Sequence, residues 1–376
     1  MSGVSDRVSL VNVPCANDVV LAVDYHDAHC VIRRRNLATD QESVRKIDTE
    51  PHLLGTWMRQ AAEEARLQQG RAVWIQESTT GWVRVARLAA ECGVEFVLAN
   101  VLQMPLPPKA RRRRTDKVDT ARLLRECLNG QLPRSHQPAA EWRQLRRVIA
   151  LRESLVRRRT ALTNWIDRYL AHETWSDRQG LDTRRGIARL RALSLPETDR
   201  QVIDWKLEEL EQIARRLRGV EALLMQHYRQ SADAQRLDEI RGLAPVSAIA
   251  IVGRIGPIER FQTAEQLINF AGLSPGVRQS DDNCRGGKIG GGGTDKCLRH
   301  YVIEATFWVR DIPRYRETYQ RVLRRRGVKV ARLVVARLLL RSIHKMLSTG
   351  AAFQPRDSRR RKQVEPTAVA GEPQPA

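Results

Sequence analysis

Hydrophobic residues follow two different spacings along the chain. In the first third they form short runs rich in β-branched residues, a pattern typical of buried strands. The clearest runs are DVVLAVD (Asp18–Asp24), RAVWIQE (Arg71–Glu77) and VEFVLAN (Val94–Asn100). Segments with helical spacing stand between them, such as PHLLGTWMRQAAEEARLQQG, which has Pro51 at its start and Gly70 at its end.

Together these segments predict the order of elements in a first domain. AHCVIRRRN and ESVRKIDTE add two strands after the first one, GWVRVARLAAECG adds a helix, and a last helix begins at Asp116 and ends near Leu128. The order is three strands, helix, strand, helix, strand and helix, which predicts a mixed α/β sheet with covering helices. We place this domain at residues 18–135, after a flexible leader of residues 1–17.

From Glu141 onward the hydrophobic residues follow helical spacing, with many arginines between them. Two long amphipathic helices predict an antiparallel, coiled-coil linker over residues 141–230, although a helical hairpin that acts only as a spacer is the simpler interpretation. A mostly α-helical domain with a glycine-rich middle is expected at residues 238–350. Residues 354–376 are basic and then rich in proline and alanine, so we expect a disordered tail.

The charge balance adds information about partners. The 376 residues include 65 Lys and Arg against 43 Asp and Glu, a net charge of +22. Such an excess indicates nucleic acid as the first candidate partner and an anionic membrane surface as the second. No apolar run reaches the length of a membrane span, and the N-terminal residues lack the pattern of a secretory signal. The sequence therefore predicts a cytoplasmic protein without a membrane partner.

Six cysteines are scattered along the chain without a CxxC pair, as expected of free thiols in a cytosolic protein. Cys284, Cys297 and His300 have the spacing C-x12-C-x2-H and offer three potential zinc ligands. A structural zinc site needs four ligands, and no clear fourth residue lies nearby in the sequence. The spacing therefore favours free thiols over a zinc site.

Four carboxylates stand at related positions in the predicted first domain. Asp24 ends the first strand and Glu77 ends the fourth, whereas Asp116 and Asp119 lie three residues apart on the last helix and face the same way. If they meet in one cleft, their charges repel one another unless cations hold them. Two Mg²⁺ ions about 3.5–4 Å apart do this in phosphodiester-cleaving enzymes. A DxxD pair alone is more often a set of surface helix charges, so the hypothesis depends on the combination.

The order of elements and the segments AVDYHD, IQESTTGW and RTDKVDTARLL resemble DEDD transposases of the insertion-sequence-110 family. The resemblance implies an RNase H-like N-terminal domain similar to the RuvC Holliday-junction resolvase. It also implies that Asp24, Glu77, Asp116 and Asp119 are catalytic residues that bind two Mg²⁺ ions. It extends to the C-terminal segment that begins at IRGLAPVSAIAIVGRIG and ends at CLRHYVIEAT.

In the C-terminal segment the resemblance marks Ser280, within AGLSPGVRQS, as a nucleophile that becomes covalently linked to DNA. By residue type alone, a serine in a polar loop is a turn residue, and its hydroxyl needs activation to attack a phosphate. Ser274 is the nearest competitor, but Pro275 follows it and indicates a turn. Two positions depart from the family pattern, since Asp27 stands where lysine is common and Asp281 where glycine is common.

Basic residues near these motifs are candidate phosphate contacts, although they could equally be solubilising charges. The glycine-rich stretch RGGKIGGGGTDK would allow close approach to a DNA backbone. The candidate nucleic-acid-binding residues are Arg111, Arg112, Arg113, Arg114, Lys117, Arg278, Lys288, Lys296 and Arg299.

The resemblance further implies the partners of the protein. These are the DNA of the element ends and target, a non-coding bridge RNA from the element that pairs with target and donor DNA, and further copies of the chain in a dimer or tetramer. A protein bound to DNA in this way would be associated with the nucleoid. Two alternatives stay open: a metal-only endonuclease of the resolvase type in which Ser280 is structural, and a basic nucleic-acid-binding protein without catalysis.

Overall fold

The structure is a computed structural model that describes residues 11–104, 116–171, 180–274, 277–280, 283–286 and 295–355. The chain forms two compact units, residues 1–137 and 138–376. The first unit is α/β and the second is almost entirely helical in its described residues, so the predicted fold class is confirmed at this level. No helix in the described part of the chain is both long enough and apolar enough to cross a membrane.

The first unit contains a mixed five-stranded sheet in the strand order β3-β2-β1-β4-β5. β1 pairs with β2, and β2 with β3, in antiparallel fashion, whereas β1, β4 and β5 are parallel. The observed order of elements agrees with the predicted one. Its elements are β1 (Val19–Tyr25), β2 (His29–Asn36), β3 (Gln41–Asp48), α1 (Pro51–Leu67), β4 (Ala72–Glu77), α2 (Trp82–Glu91), β5 (Glu95–Ala99), a short 3-10 helix (Val101–Gln103) and α3 (Asp116–Leu128).

Side chains that alternate along the strands are buried on both faces of the sheet. On β1, Val19, Leu21, Val23 and Tyr25 belong to a core with residues of α1 and α2. The intervening Val20 and Ala22 belong to a second core with Leu123, Leu124 and Cys127 of α3. Because successive side chains of a strand point to opposite faces, the even-numbered residues of β1 lie on the face that α3 covers.

The start of this unit differs from the prediction of a flexible leader over residues 1–17. Val11 is buried, and its backbone N–H donates a hydrogen bond to the carbonyl of Leu132 at 2.9 Å. The carboxylate of Asp18, also buried, accepts hydrogen bonds from the backbone N–H groups of Cys15 at 2.8 Å and Arg71 at 2.7 Å. The chain is therefore attached to the domain from Val11 onward, whereas residues 1–10 lie outside the described part.

The second unit contains eight α-helices, one 3-10 helix and one small sheet among its described residues. The sheet pairs β6 (Val277–Ser280) with β7 (Asn283–Gly286) in antiparallel fashion. The elements are α4 (Ala140–Leu170), α5 (Arg184–Ala192), α6 (Glu197–Arg229), α7 (Ala232–Asp238), α8 (Pro245–Ile255), a 3-10 helix (Ile258–Arg260), α9 (Ala264–Phe270), β6 (Val277–Ser280), β7 (Asn283–Gly286), α10 (Lys296–Val309) and α11 (Pro313–Thr349), which is kinked at Gly327.

The two long helices α4 and α6 run antiparallel. Arg152 Nε donates to Glu221 at 3.0 Å, and Tyr169 donates its hydroxyl proton to Asp199 at 2.6 Å. A later residue of α4 therefore contacts an earlier residue of α6, as expected of antiparallel helices. Their apolar faces share one continuous core with α8, α10 and α11. The helix pair predicted as a separate linker over residues 141–230 is thus packed into the same unit as residues 238–350, because its apolar stripe is also covered by the later helices. The predicted tail begins at residue 354, and residues 356–376 lie outside the described part.

Candidate active site

Asp24 and Glu77 stand at the carboxyl ends of two neighbouring parallel strands. Val23 of β1 is the register partner of Gln76 of β4, so Asp24 and Glu77 are the next positions along the two strands. On β4, Val73 and Ile75 belong to the core under α3. Strand alternation therefore puts both acids on the face of the sheet that α3 covers. Both are half-buried.

Helix α3 brings the other two predicted acids to the same face. Asp116 and Asp119 lie in its first turn, and both are half-buried. Carboxylates in this position are stabilised by the positive end of the helix dipole. The helix is held against the sheet by Leu123, Leu124 and Cys127, which are buried with residues of β1 and β4.

Asp24 lies close enough to Asp116 and Asp119 for their charges to act on its carboxyl. Burial raises the pKa of the Asp24 carboxyl, nearby His26 lowers it, and the negative charges of Asp116 and Asp119 raise it further. Three carboxylates in a partly desolvated place destabilise one another's charged forms. Their oxygen donors fit a hard divalent cation such as Mg²⁺, which would relieve this repulsion.

Two histidines that were not predicted lie beside the acids. The Nε2 atom of His26 is 3.5 Å from Oδ1 of Asp24. His26, His29 and Asp116 each offer one ligand atom, and these atoms all lie within 4.8 Å of one another. The sequence signal was the segment DYHDAH, in which two histidines flank the turn between the first two strands.

Ser280, the predicted nucleophile, is the last residue of β6 and pairs with Asn283 of β7. It belongs to the second unit, and its side chain lies outside the described part of the structure. Its competitor Ser274 donates its hydroxyl proton to the side-chain oxygen of Asn269.

Seven of the nine predicted basic contacts lie outside the described part of the structure, either entirely or with their side chains. Residues 111–114 and Lys288 lie outside the described part, as do the side chains of Lys117 and Arg278. Lys296 is exposed at the start of α10. Arg299 is half-buried and donates to the carbonyl of Gly272 at 3.4 Å, so it also holds the chain that leads to β6.

Two family models match the chain, one before α6 and one after it. Residues 22–173 match a model of DEDD transposases of the IS110 type, described as "Transposase". Residues 234–320 match the "Transposase IS116/IS110/IS902 family". The chain belongs to the IS110 family of transposases. Members of such a family cleave and recombine DNA, and DNA is accordingly a partner of this transposase.

Two relatives agree with this assignment. The transposase is similar to a protein of Sinorhizobium fredii assigned as transposase y4pF/y4sB, with 23% identity over 282 residues that cover 72% of this chain and 71% of the relative. It is also similar to a protein of Pseudomonas aeruginosa assigned as a family 20 transposase. That match has 28% identity over 232 residues, 58% of this chain and 67% of the relative.

Cys297 and His300, two of the three potential zinc ligands in the sequence, belong to no group of potential metal ligands among the described residues of this transposase. Cys297 is a free, half-buried thiol, and burial raises its pKa to about 11. His300 lies 3.8 Å from a carboxylate oxygen of Glu153. The side chain of Cys284 is outside the described residues.

Proposed function

We propose that this transposase cleaves and exchanges DNA strands at the acidic cluster of Asp24, Glu77, Asp116 and Asp119, with Mg²⁺ as cofactor and Ser280 as nucleophile. The observation that carries the proposal is that two neighbouring strand ends and the first turn of α3 bring these four acids to one face of the sheet. Acidic side chains that serve only as surface charges would not be expected to lie close together and half-buried on one face of a sheet.

The four acids would hold two Mg²⁺ ions. When bound, Mg²⁺ stabilises negative charge that develops on the phosphate oxygens during phosphodiester cleavage. The strand ends fix Asp24 and Glu77, and the first turn of α3 fixes Asp116 and Asp119, so the carboxylates are positioned by rigid elements. Glu77 belongs to the set because it continues β4 beside Asp24.

Ser280 would act by forming a phosphoserine intermediate. Its Oγ forms a bond to phosphorus while the bond from phosphorus to one deoxyribose oxygen breaks, and the serine proton passes to the leaving oxygen. Attack by a deoxyribose hydroxyl of a new strand on the same phosphorus reverses these steps and releases the serine. The phosphodiester bond energy is kept in the ester, which makes rejoining independent of an added energy source.

The finer features of the family are part of the same proposal. The strand order β3-β2-β1-β4-β5 supports an RNase H-like first unit, and the antiparallel α4–α6 pair supports a coiled-coil element. The net charge of +22 supports binding of a bridge RNA together with DNA. The family resemblance favours a dimer or tetramer, in which the acids and Ser280 of one site could come from different copies.

Asp119→Asn tests the acidic site. The assay is Mg²⁺-dependent cleavage of a plasmid that carries the element with its flanking non-coding DNA. We expect cleavage to fall at least about 100-fold, because each ligand supports several kcal/mol of transition-state stabilisation, while DNA binding is retained. Glu91→Gln is the matched control, since Glu91 is an exposed acid at the end of α2 and should leave cleavage unchanged. Cleavage by Asp119→Asn at the parental rate would refute the acidic site.

A further inference from the structure

The turn between β1 and β2 presents two imidazoles to Asp116. The backbone N–H of His26 donates to the carbonyl of His29 at 3.0 Å, which closes the turn. Thr49, which follows β3, also holds the turn. Its backbone N–H donates to the carbonyl of Ala28 at 3.2 Å, and its hydroxyl donates to the backbone carbonyl of Asp27 at 2.5 Å. The two histidines are therefore held by backbone structure.

The side chains converge as well as the backbone. The ring centroids of His26 and His29 are 5.3 Å apart, and one ligand atom of each lies within 4.8 Å of the other and of a carboxylate oxygen of Asp116. A single cation placed among three such atoms would be about 2.0–2.2 Å from each, which requires ligand separations of roughly 3–4 Å. The observed separations, all within 4.8 Å, are near this range, and none of the three side chains is fully buried.

The donor set does not suit Mg²⁺. Mg²⁺ prefers oxygen ligands and keeps several of its waters, whereas imidazole nitrogen favours zinc and other transition metals. Two histidines and one carboxylate are a frequent ligand set for zinc, with a fourth position left for water or substrate. The chemistry of this group therefore differs from that of the four acids beside it.

We propose that His26, His29 and Asp116 bind one transition-metal cation, of which Zn²⁺ is the probe. The site adjoins the proposed catalytic acids and shares Asp116 with them. Only the competition with Mg²⁺ for Asp116 rests on the proposed function. Cation binding here would withdraw Asp116 from the Mg²⁺ ligands.

The competing explanation is that His26 is only an ionic partner of Asp24. The distance of 3.5 Å between them is within the range of an ion pair. In that case His29 would have no part in cation binding, and removing its imidazole would not alter the affinity for zinc. His29 is therefore the residue that separates the two explanations.

The experiment is a Zn²⁺ titration against a chromophoric chelator, without DNA and in millimolar Mg²⁺. We expect the parent protein to bind one Zn²⁺ per chain, and His26→Gln and His29→Gln each to weaken that binding by at least about tenfold. His52→Gln is the matched control, because His52 is an exposed histidine of α1 and should leave the affinity unchanged. Circular dichroism establishes that each variant is folded.

Absence of Zn²⁺ binding by the parent, or equal affinity in the parent and His29→Gln, would overturn the proposal. Asp119→Asn distinguishes this inference from the proposed function, since it should bind Zn²⁺ within a few-fold of the parent while losing cleavage. If Asp119→Asn loses Zn²⁺ as completely as His29→Gln, the cation sits on the acids and this inference is wrong. A parent that binds Zn²⁺ through His29 and does not cleave DNA would refute the proposed function alone.

Discussion

Arg254 and Asp295 form a largely buried ion pair in the second unit. Nη2 of Arg254 is 2.7 Å from Oδ2 of Asp295, and the Asp295 side chain is only 4% exposed. The same carboxylate caps α10, because Oδ1 accepts a hydrogen bond from the backbone N–H of Leu298 at 2.8 Å. Asp295 directly follows the glycine-rich segment after Ser280, so the pair fixes one end of the chain that carries the proposed nucleophile.

Asp295→Ala should therefore be strongly destabilising. It leaves the Arg254 guanidinium without its carboxylate and removes the cap of α10, and we expect a loss of about 3–5 kcal/mol in the free energy of unfolding. Urea unfolding measures this. Glu265→Ala is the matched control, since Glu265 forms an exposed ion pair with Arg341 at 3.0 Å and such a pair contributes about 0–1 kcal/mol. Equal losses in the two variants would contradict the assigned role of Asp295.

The sequence predicted those parts of the fold whose pattern is decided locally. β1 and β4 are buried on both faces and read as continuous apolar runs, so they were recognisable. The two long helices were recognisable from their apolar stripes. Their packing with α8 and α11 was not, because an amphipathic face shows that a partner is needed without showing which one. The attachment of Val11 was missed because a single apolar residue carries no periodic signal.

The thiol of Cys127 should make the first unit less stable in alkali. Burial is the main cause that raises its pKa to about 12, with added contributions from the negative charges of Glu95 and Asp18. A thiol whose pKa is higher when folded than the usual 9.0 favours the folded state below pH 9, and this stability is lost as the pH rises toward 12.

Cys127→Ala should remove that dependence. Its free energy of unfolding should fall less steeply than that of the parent between pH 9 and 12, by up to about 1.4 kcal/mol per pH unit. Urea unfolding at several pH values, under reducing conditions, measures the two slopes. Cys15→Ala, which removes an exposed thiol, should keep the parental slope. Parallel slopes for the parent and Cys127→Ala would show that the thiol is not shielded as the structure places it.

The net charge of +22 predicts a steep salt dependence of nucleic-acid binding. Each phosphate contact releases counterions, and six or more contacts lower the affinity about 1,000-fold or more between roughly 50 and 200 mM salt. Fluorescence anisotropy of labelled element DNA at several salt concentrations measures the slope. An affinity that hardly changes with salt would mean that the basic residues bind something other than a phosphate backbone.

The candidate site was predictable where strand and helix order place residues together. The proximity of Asp24 to Asp116 and Asp119 was predictable because these acids lie near a strand end and in the first turn of a helix. Their catalytic role, like that of Glu77, stays a prediction. His26 and His29 were missed, since histidines in a turn are common and their approach to Asp116 depends on how α3 packs across the sheet. The role of Ser280 came only from the family resemblance, because a polar turn serine carries no distinguishing physical signal.

The most direct test of the proposed mechanism is a search for a covalent link between Ser280 and DNA. Labelled element DNA is incubated with protein and Mg²⁺ and separated on a denaturing gel, where an adduct is a slow species that protease converts to free DNA. We expect the adduct with the parent and with Ser274→Ala, and neither adduct nor strand exchange with Ser280→Ala. Efficient cleavage by the parent without an adduct would contradict the account and favour a metal-only nuclease, and an adduct that persists in Ser280→Ala would place the nucleophile elsewhere.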